Sequence, residues 1–206
     1  MPTVELNKLY RCAWADPAGG PQARTGKSRS AIVVVGQDDL ERIFILEADA
    51  GRWPTDHLER RILQTQQKWH PAKFGIDATG PQVLFADVMR RKAREEGVKM
   101  NLLPTALRSD KSFSIETTLQ PIVAQGRLFR PELALCKTLY EEWKHHPSAD
   151  FNDTMDALAC AIRLLPTALP DHIRKLSKEQ FRSYLLKSGM SREKVEERVM
   201  EHDPTE

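Results

Sequence analysis

Three strand-like segments lie close together near the N-terminus, and no other feature of the sequence constrains the fold as strongly. Residues 10–16 alternate, with Tyr10, Cys12 and Trp14 on one face, residues 31–35 are a β-branched run, and residues 42–46 form a third apolar segment. Such segments are typical of β-strands. Because the connections between them are short, we predict an antiparallel meander.

The rest of the chain alternates between helical and extended patterns. Residues 54–69 have the apolar period of a helix with Thr55 or Asp56 as its cap, and further helices are predicted at residues 82–96, 113–124, 131–145 and 152–165. Residues 74–77 and 99–103 are predicted strands, and residues 127–130 an extended edge. A helical crossover makes the strands that it joins parallel, so strand 74–77 should lie beside strand 10–16. The predicted fold class is therefore α/β: a central mixed five-stranded sheet, three antiparallel strands then parallel ones, flanked by helices.

Two prolines, Pro166 and Pro170, interrupt the chain before a charged tail. We therefore predict a main domain of residues 1–168 and a helical C-terminal appendage of residues 169–206. In the appendage, Ser177 and Gln180 have the spacing of a capping box, and two short amphipathic helices should flank Gly189.

The composition is that of a globular protein, with 40% hydrophobic and 29% charged residues among 206. No segment reaches the roughly 20 apolar residues of a membrane span, and the N-terminus lacks the pattern of a signal peptide, so we expect a cytoplasmic protein. A net charge of +2 argues against a stable, sequence-reading DNA-binding protein. It is compatible with an enzyme that contacts nucleic acid transiently through local basic patches.

Three cysteines, Cys12, Cys136 and Cys160, are scattered through apolar surroundings. They form no C-x-x-C pair, so we predict buried, reduced thiols rather than a zinc site or a disulfide framework.

Acidic residues follow two of the predicted strands and begin one of the helices. Asp16 and Asp77 end strands that should be parallel neighbours, so both carboxylates should lie at one edge of the sheet. Asp153 and Asp156 are three residues apart on a helix whose apolar face would pack on that sheet. Hard divalent cations such as Mg²⁺ or Mn²⁺ relieve the repulsion between crowded carboxylates. Two such ions, about 3.5–4 Å apart, can promote hydrolysis of a phosphodiester.

These segments, taken in order, resemble a known family. The sequence has Asp16-Pro-Ala-Gly-Gly after a strand, Ile76-Asp77-Ala-Thr-Gly before a helix, Asp110-Lys111, Gly126-Arg127-Leu-Phe, and Asn152-Asp153-Thr-Met-Asp156-Ala. Over about residues 10–165 this series is similar to the nuclease domain of the large terminase subunit of tailed bacteriophages. The resemblance implies a ribonuclease-H-like fold that cuts double-stranded concatemers during packaging in the cytoplasm of a host bacterium. It also implies a packaging ATPase domain, a small terminase subunit and a portal as partners.

The resemblance also implies the roles of the acids. Asp16, Asp77 and Asp153 would be the catalytic metal ligands for two Mg²⁺ or Mn²⁺ ions, with Asp156 as an accessory acid. The family motif more often begins with two adjacent acids, whereas here the first is Asn152. Asp150 could therefore be a further acid near the second ion.

Basic residues in two loops are candidate contacts to the DNA backbone. Arg24, Lys27 and Arg29 follow the first strand, where a solvated loop is an equally good interpretation, and Arg108 and Lys111 precede a helix. The family commonly has another basic residue shortly after the position of Lys111, and this chain has none there.

The sequence Thr25-Gly26-Lys27-Ser28 is similar to the end of a phosphate-binding loop. The glycine required five positions before Gly26 is replaced by Pro21, and a predicted strand rather than a helix follows. We therefore predict no ATP site in this chain.

Two alternative functions remain open from the sequence. One is another ribonuclease-H-like nuclease, such as a junction resolvase or a hybrid-cleaving RNase. The other is a non-catalytic module that docks on the packaging motor or portal through its helical tail.

Overall fold

The computed structural model describes residues 5–18, 29–38, 40–79, 82–106, 111–130, 136–166, 176–187 and 192–201. Contacts divide the chain into two compact units, Met1–Pro166 and Thr167–Glu206. None of the helices within these described ranges is long and apolar enough to cross a membrane.

The first unit is built on one mixed sheet. Its strands are β1 (Tyr10–Asp16), β2 (Ser30–Gln37), β3 (Ile43–Gly51), β4 (Lys73–Asp77), β5 (Leu102–Thr105) and β6 (Leu128–Phe129). Their order across the sheet is β5-β4-β1-β2-β3-β6. β1, β2 and β3 form the predicted antiparallel meander, while β4 lies parallel to β1 and β5 parallel to β4. The mixed α/β sheet is therefore confirmed.

The predicted number of five strands is wrong by one, because the extended edge joins the sheet. β6 pairs in parallel with β3, with Ile43 opposite Leu128 and Phe44 opposite Phe129. The rings of Phe44 and Phe129 stack with their centroids 5.2 Å apart, which gives this two-residue strand a packing contact beyond its backbone pairing.

Five α-helices accompany the sheet in the described part of this unit. They are α1 (Thr55–Trp69), α2 (Gln82–Glu95), α3 (Lys111–Ala124), α4 (Lys137–His145) and α5 (Asp153–Arg163), and a 3₁₀ turn (Leu6–Lys8) precedes β1. The predicted cap of α1 is wrong, because its N-cap is Pro54, with no side-chain cap hydrogen bond. Pro121 lies within α3 without ending it. Residues 131–135, the predicted start of α4, lie outside the described residues.

The edge strand β5 begins three residues later, and ends two residues later, than the sequence indicated. It begins at Leu102 and includes Pro104, which has no N–H to donate. Because β5 forms one edge of the sheet, that missing donor leaves no partner strand unsatisfied.

Alternation along the strands separates two hydrophobic cores. Cys12, Trp14 and Val33 face one core, which also contains the apolar side chains of α3, α4 and α5. Ala13 and Phe74 face the other core, together with side chains of α1 and α2. α5 is buried from Thr154 to Ile162, so its first turn is held firmly against the sheet.

The three thiols are buried, as predicted. Cys12, Cys136 and Cys160 lie inside the protein and form no disulfide. Burial raises the pKa of the Cys12 thiol to about 12, although the nearby Lys73 opposes this shift.

The described part of the second unit contains two helices, α6 (Lys178–Lys187) and α7 (Arg192–Glu201). Phe181, Val195 and Val199 form its small core. The predicted capping box is confirmed, because the Ser177 N–H donates to the Gln180 side chain and the Gln180 N–H donates to the Ser177 hydroxyl.

Candidate active site

Asp16 and Asp77 are side by side at one edge of the sheet. Ala15 and Ile76 are partners in the parallel pairing of β1 with β4, and each aspartate is the next residue along its strand. Neighbouring strands are about 4.8 Å apart, so the two backbones bring the carboxylates into one small region. Both residues are nearly buried, with 6% and 7% of their surfaces exposed.

The alternation of side chains places both aspartates on the face that carries α5. In β1, Ala15 points into the core shared with α1 and α2, whereas Trp14 packs with α5. In β4, Ile76 points into the same core as Ala15. Successive side chains of a strand point to opposite faces, so Asp16 and Asp77 both lie on the α5 side.

The turn after β4 orients the carboxylate of Asp77. The backbone N–H of Thr79 donates to Oδ1 over 2.9 Å, and the Thr79 hydroxyl donates to the same oxygen over 2.6 Å. The described residues provide hydrogen bonds only to Oδ1 of Asp77, so these two contacts turn the carboxylate without engaging its second oxygen.

Glu142 of α4 holds the first turn of α5. Its Oε2 accepts hydrogen bonds from the N–H groups of Thr154 and Met155, over 2.9 Å and 3.0 Å, and from the Thr154 hydroxyl. The N-cap residue, Asn152, makes no side-chain cap hydrogen bond. Glu142 therefore satisfies backbone donors that an ordinary cap would satisfy from within the helix.

The guanidinium of Arg29 joins Glu142 to Asp153. Nη2 of Arg29 donates to Oε1 of Glu142, and Nε donates to Oδ2 of Asp153 over 3.2 Å. The Arg29 guanidinium also lies over the ring of Phe151, 4.1 Å from its centroid. Burial raises the pKa of Glu142 above its usual value, although the hydrogen bonds from Thr154 and Met155 and the charge of Arg29 oppose the shift.

The remaining predicted acids occupy different surroundings. Asp156 lies one turn into α5 and is only 2% exposed. Asp150 is exposed and, with Arg29, Glu142 and Phe151, lines an open groove of about 510 Å³.

The donor set is suited to hard cations, but the five acids are not gathered at one point. Carboxylate oxygens are the ligands that Mg²⁺ and Mn²⁺ prefer, and Asp16 and Asp77 provide them from neighbouring strands. Within the described ranges, no three His, Cys, Asp or Glu side chains lie close enough together to hold a metal ion. Asp153 is paired with Arg29 instead. The ligand set of Asp16, Asp77, Asp153, Asp156 and Asp150 therefore stays a prediction.

Most of the predicted DNA contacts lie outside the described residues. This applies to Arg24, Lys27 and Arg108, and to the segment 25–28 considered for ATP. Lys111 is the first residue of α3, and its side chain is not among those described. Arg29 is the one predicted contact whose side chain is described, and its guanidinium faces Glu142 and Asp153.

Solved structures with this arrangement of strands and helices include a viral nuclease. The large terminase nuclease from thermophilic phage G20c with bound zinc matches with a TM-score of 0.56 at 16% identity, over 78% of this chain and 84% of that chain. A second structure of the G20c nuclease gives a TM-score of 0.52 at the same identity and coverage. The chain has the fold of a large terminase nuclease.

A third match to a terminase nuclease is more distant. The nuclease domain of the large terminase subunit of bacterial virus Sf6 has a TM-score of 0.47 at 11% identity, over 77% of this chain and 89% of that chain. No family model and no curated protein matches the sequence.

Two features of the site were missed from the sequence. The sequence does not single out Glu142, and it indicates for Arg29 either a phosphate contact or a solvated loop rather than a contact to Asp153. The available signal was weak: Glu142 is an acid on the helix before the Asn152-Asp153 motif. Only the packing of α4 against α5 distinguishes it from the neighbouring Glu141.

Proposed function

We propose that this chain is a divalent-metal-dependent endonuclease that hydrolyses phosphodiester bonds of double-stranded DNA with little sequence preference. The observation that carries this proposal is that Asp16 and Asp77 each follow a paired residue, Ala15 and Ile76, at the ends of neighbouring parallel strands. Both lie on the face where α5 begins at Asp153. The terminase nuclease fold supports it.

In this proposal the carboxylates of Asp16, Asp77 and Asp153 hold two Mg²⁺ or Mn²⁺ ions, with Asp156 and Asp150 as further acids nearby. Bound ions of this kind supply a nucleophilic water and stabilise charge on the leaving oxygen. Asp77 contributes a carboxylate whose orientation Thr79 sets before the ion arrives. Glu142 and Arg29 hold the first turn of α5, and thus the backbone that carries Asp153.

The substrate and partners follow from the same proposal. Concatemeric viral DNA, cut during genome packaging, would be the substrate, and Arg24, Lys27, Arg108 and Lys111 would contact its backbone. A packaging ATPase domain, a small terminase subunit and a portal would be the partners, and the cytoplasm of a host bacterium would be the location.

Plasmid cleavage tests the activity. Supercoiled plasmid incubated with the protein and Mn²⁺ should be nicked and linearised, and chelation of the metal should stop cleavage. Intact plasmid across a series of Mg²⁺ and Mn²⁺ concentrations and pH values, with a folded protein, would contradict the proposal.

The substrate class requires a separate comparison. Linear duplex, a four-way junction and an RNA–DNA hybrid, each end-labelled and of equal length, should be incubated under the conditions that cleave plasmid. We expect the duplex to be cut at least as fast as the other two. Faster cutting of the junction or the hybrid would assign the same site to a resolvase or a hybrid-cleaving RNase.

A further inference from the structure

The guanidinium of Arg29 lies against the acid that the proposed function needs as a ligand. Arg29 Nε is 3.2 Å from Oδ2 of Asp153, and both side chains are 17% exposed. Its other contacts, Glu142 and the ring of Phe151, do not involve the proposed ligands. The Nε side of the largely buried Arg29 guanidinium is therefore directed at Asp153.

The backbone of Arg29 is positioned by the same edge of the sheet as Asp16. Arg29 immediately precedes β2, and Ala31 of β2 is the pairing partner of Asp16. The hydroxyl of Ser30 accepts a hydrogen bond from the N–H of Ala18, two residues after Asp16. Rotation of its own side chain is enough to move the Arg29 guanidinium away from Asp153 while β2 stays paired with β1.

A guanidinium and a divalent ion on one carboxylate repel each other strongly at separations of a few ångströms. We propose that Arg29 is the internal counter-ion of Asp153 in the metal-free protein and that a divalent cation displaces its guanidinium from Asp153 on binding. The inference rests on the proposed function, which assigns Asp153 as a ligand. Without either cation, Asp153 and Glu142 would be two acids near each other with little solvent around them.

Displacement leaves Arg29 with two of the contacts that the described residues provide. The ion pair with Glu142 and the contact with the Phe151 ring do not depend on Asp153. The open groove of about 510 Å³ that Arg29, Glu142 and Phe151 line gives the guanidinium space to turn. Asp153 can then change partners while Glu142 continues to hold α5.

Metal affinity measured on the full chain tests the inference without an activity assay. Arg29→Gln removes the competing charge, so its dissociation constant for Mn²⁺, measured by isothermal titration calorimetry, should fall by about fivefold or more, the usual lower range for coupled sites. Its metal-free melting temperature should fall, and Mn²⁺ should raise that temperature more than in the wild type. Arg61→Gln is the matched control, because Arg61 also pairs with an acid, Asp49, and lies 4.4 Å from an aromatic ring. Arg61→Gln should bind Mn²⁺ like the wild type.

The outcomes separate this inference from the proposed function. If the wild type binds no Mn²⁺, the proposed function fails and the inference fails with it. If the wild type and Arg61→Gln bind Mn²⁺ while Arg29→Gln binds equally or more weakly, the inference alone is overturned.

A second measurement on the wild-type protein covers the case in which Arg29→Gln does not fold. The Nε–H resonance of Arg29 can be assigned by its loss from the NMR spectrum of Arg29→Lys, which keeps the charge. Saturating Mg²⁺ should shift this resonance and speed its exchange with water, as expected when the bond to Asp153 breaks. A resonance that stays unchanged under Mg²⁺ saturation would overturn the proposal.

Discussion

The carboxylate of Glu142 accepts hydrogen bonds from both the backbone N–H and the hydroxyl of Thr154, twelve residues later in the chain. This contact joins α4 to the first turn of α5, where Asp153 is the first helical residue. Because Thr154 is fully buried, water cannot reach its N–H and hydroxyl groups to replace these hydrogen bonds. The position of Asp153 therefore depends on a residue that belongs to another helix.

Removal of the Glu142 carboxylate should destabilise the protein substantially. Glu142→Ala leaves two buried N–H groups without their acceptor and deprives Arg29 of one partner, so we expect the free energy of unfolding to fall by about 2–4 kcal/mol. Urea denaturation measures the change. Glu141→Ala alters an exposed neighbour whose carboxylate lies 3.9 Å from Nε2 of His145, and it should cost less than about 0.5 kcal/mol. Equal effects of the two substitutions would rule out this role of Glu142.

Neutralisation of Asp77 should remove activity while leaving the fold intact. Asp77→Asn keeps a carbonyl oxygen that can accept the hydrogen bonds from Thr79, but it removes the charge that a cation requires. We expect plasmid cleavage in Mn²⁺ to fall by about 100-fold or more, with an unchanged circular dichroism spectrum. Asp87→Asn changes an exposed acid that pairs with Arg90 on α2 and should cut at the wild-type rate. Wild-type cleavage by Asp77→Asn would show that the site has been assigned to the wrong residues.

A side chain at Gly75 should disturb the strand that ends in Asp77. A Cβ at this position would lie 2.2 Å from Cε3 and 2.5 Å from Cζ3 of Trp14, so the buried indole would have to move. We expect Gly75→Ala to lower the free energy of unfolding by about 1–3 kcal/mol, the usual cost of overpacking a core. Adding Trp14→Phe should recover part of that loss, because the smaller ring makes room for the methyl group. Strict additivity of the two changes in a double-mutant cycle would contradict direct contact.

The acid dependence of stability should include a contribution from Glu47. Burial raises the pKa of this carboxyl, but hydrogen bonds from Lys68 and the Trp69 indole, with the charges of Lys68 and Arg61, outweigh burial and lower the pKa below 4.5. A lowered pKa in the folded state contributes stability above the unfolded-state value, and this stability is lost as the pH falls through the folded-state pKa. Glu47→Gln should therefore be less stable than the wild type at pH 7, with the difference shrinking below about pH 4.5.

Melting temperatures between pH 3 and pH 7 check this dependence. Trp69→Phe keeps a ring but removes the N–H that donates to Glu47 over 2.8 Å. Like Glu47→Gln, it should be less stable than the wild type at pH 7, by a smaller amount, with the difference shrinking at acid pH. A difference between Glu47→Gln and the wild type that stays constant across the pH range would exclude the contribution.

Local pattern was sufficient for the framework of the sheet. Alternation over residues 10–16 and the β-branched run of β2 placed the first two strands where they lie, because burial on a pleated surface requires those side chains at those intervals. The local sequence pattern did not predict the strands correctly at positions where a contact distant in sequence decides the structure. β6 is a strand because it pairs with β3. β5 extends through Pro104 because no strand of the described residues lies beyond it.

The candidate site also has a part that the sequence predicts and a part that only the tertiary structure decides. The sequence by itself determined that Asp16 and Asp77 end strands and that Asp153 opens a helix, since strand ends and helix starts depend on neighbouring residues. Only the tertiary structure decided which groups surround Asp153. Arg29 is 124 residues from Asp153 and 113 residues from Glu142 along the chain, and their contacts exist because α4 and α5 pack beside the start of β2. Such contacts depend on how whole helices and strands pack, and the periodicity of neighbouring residues does not predict that packing.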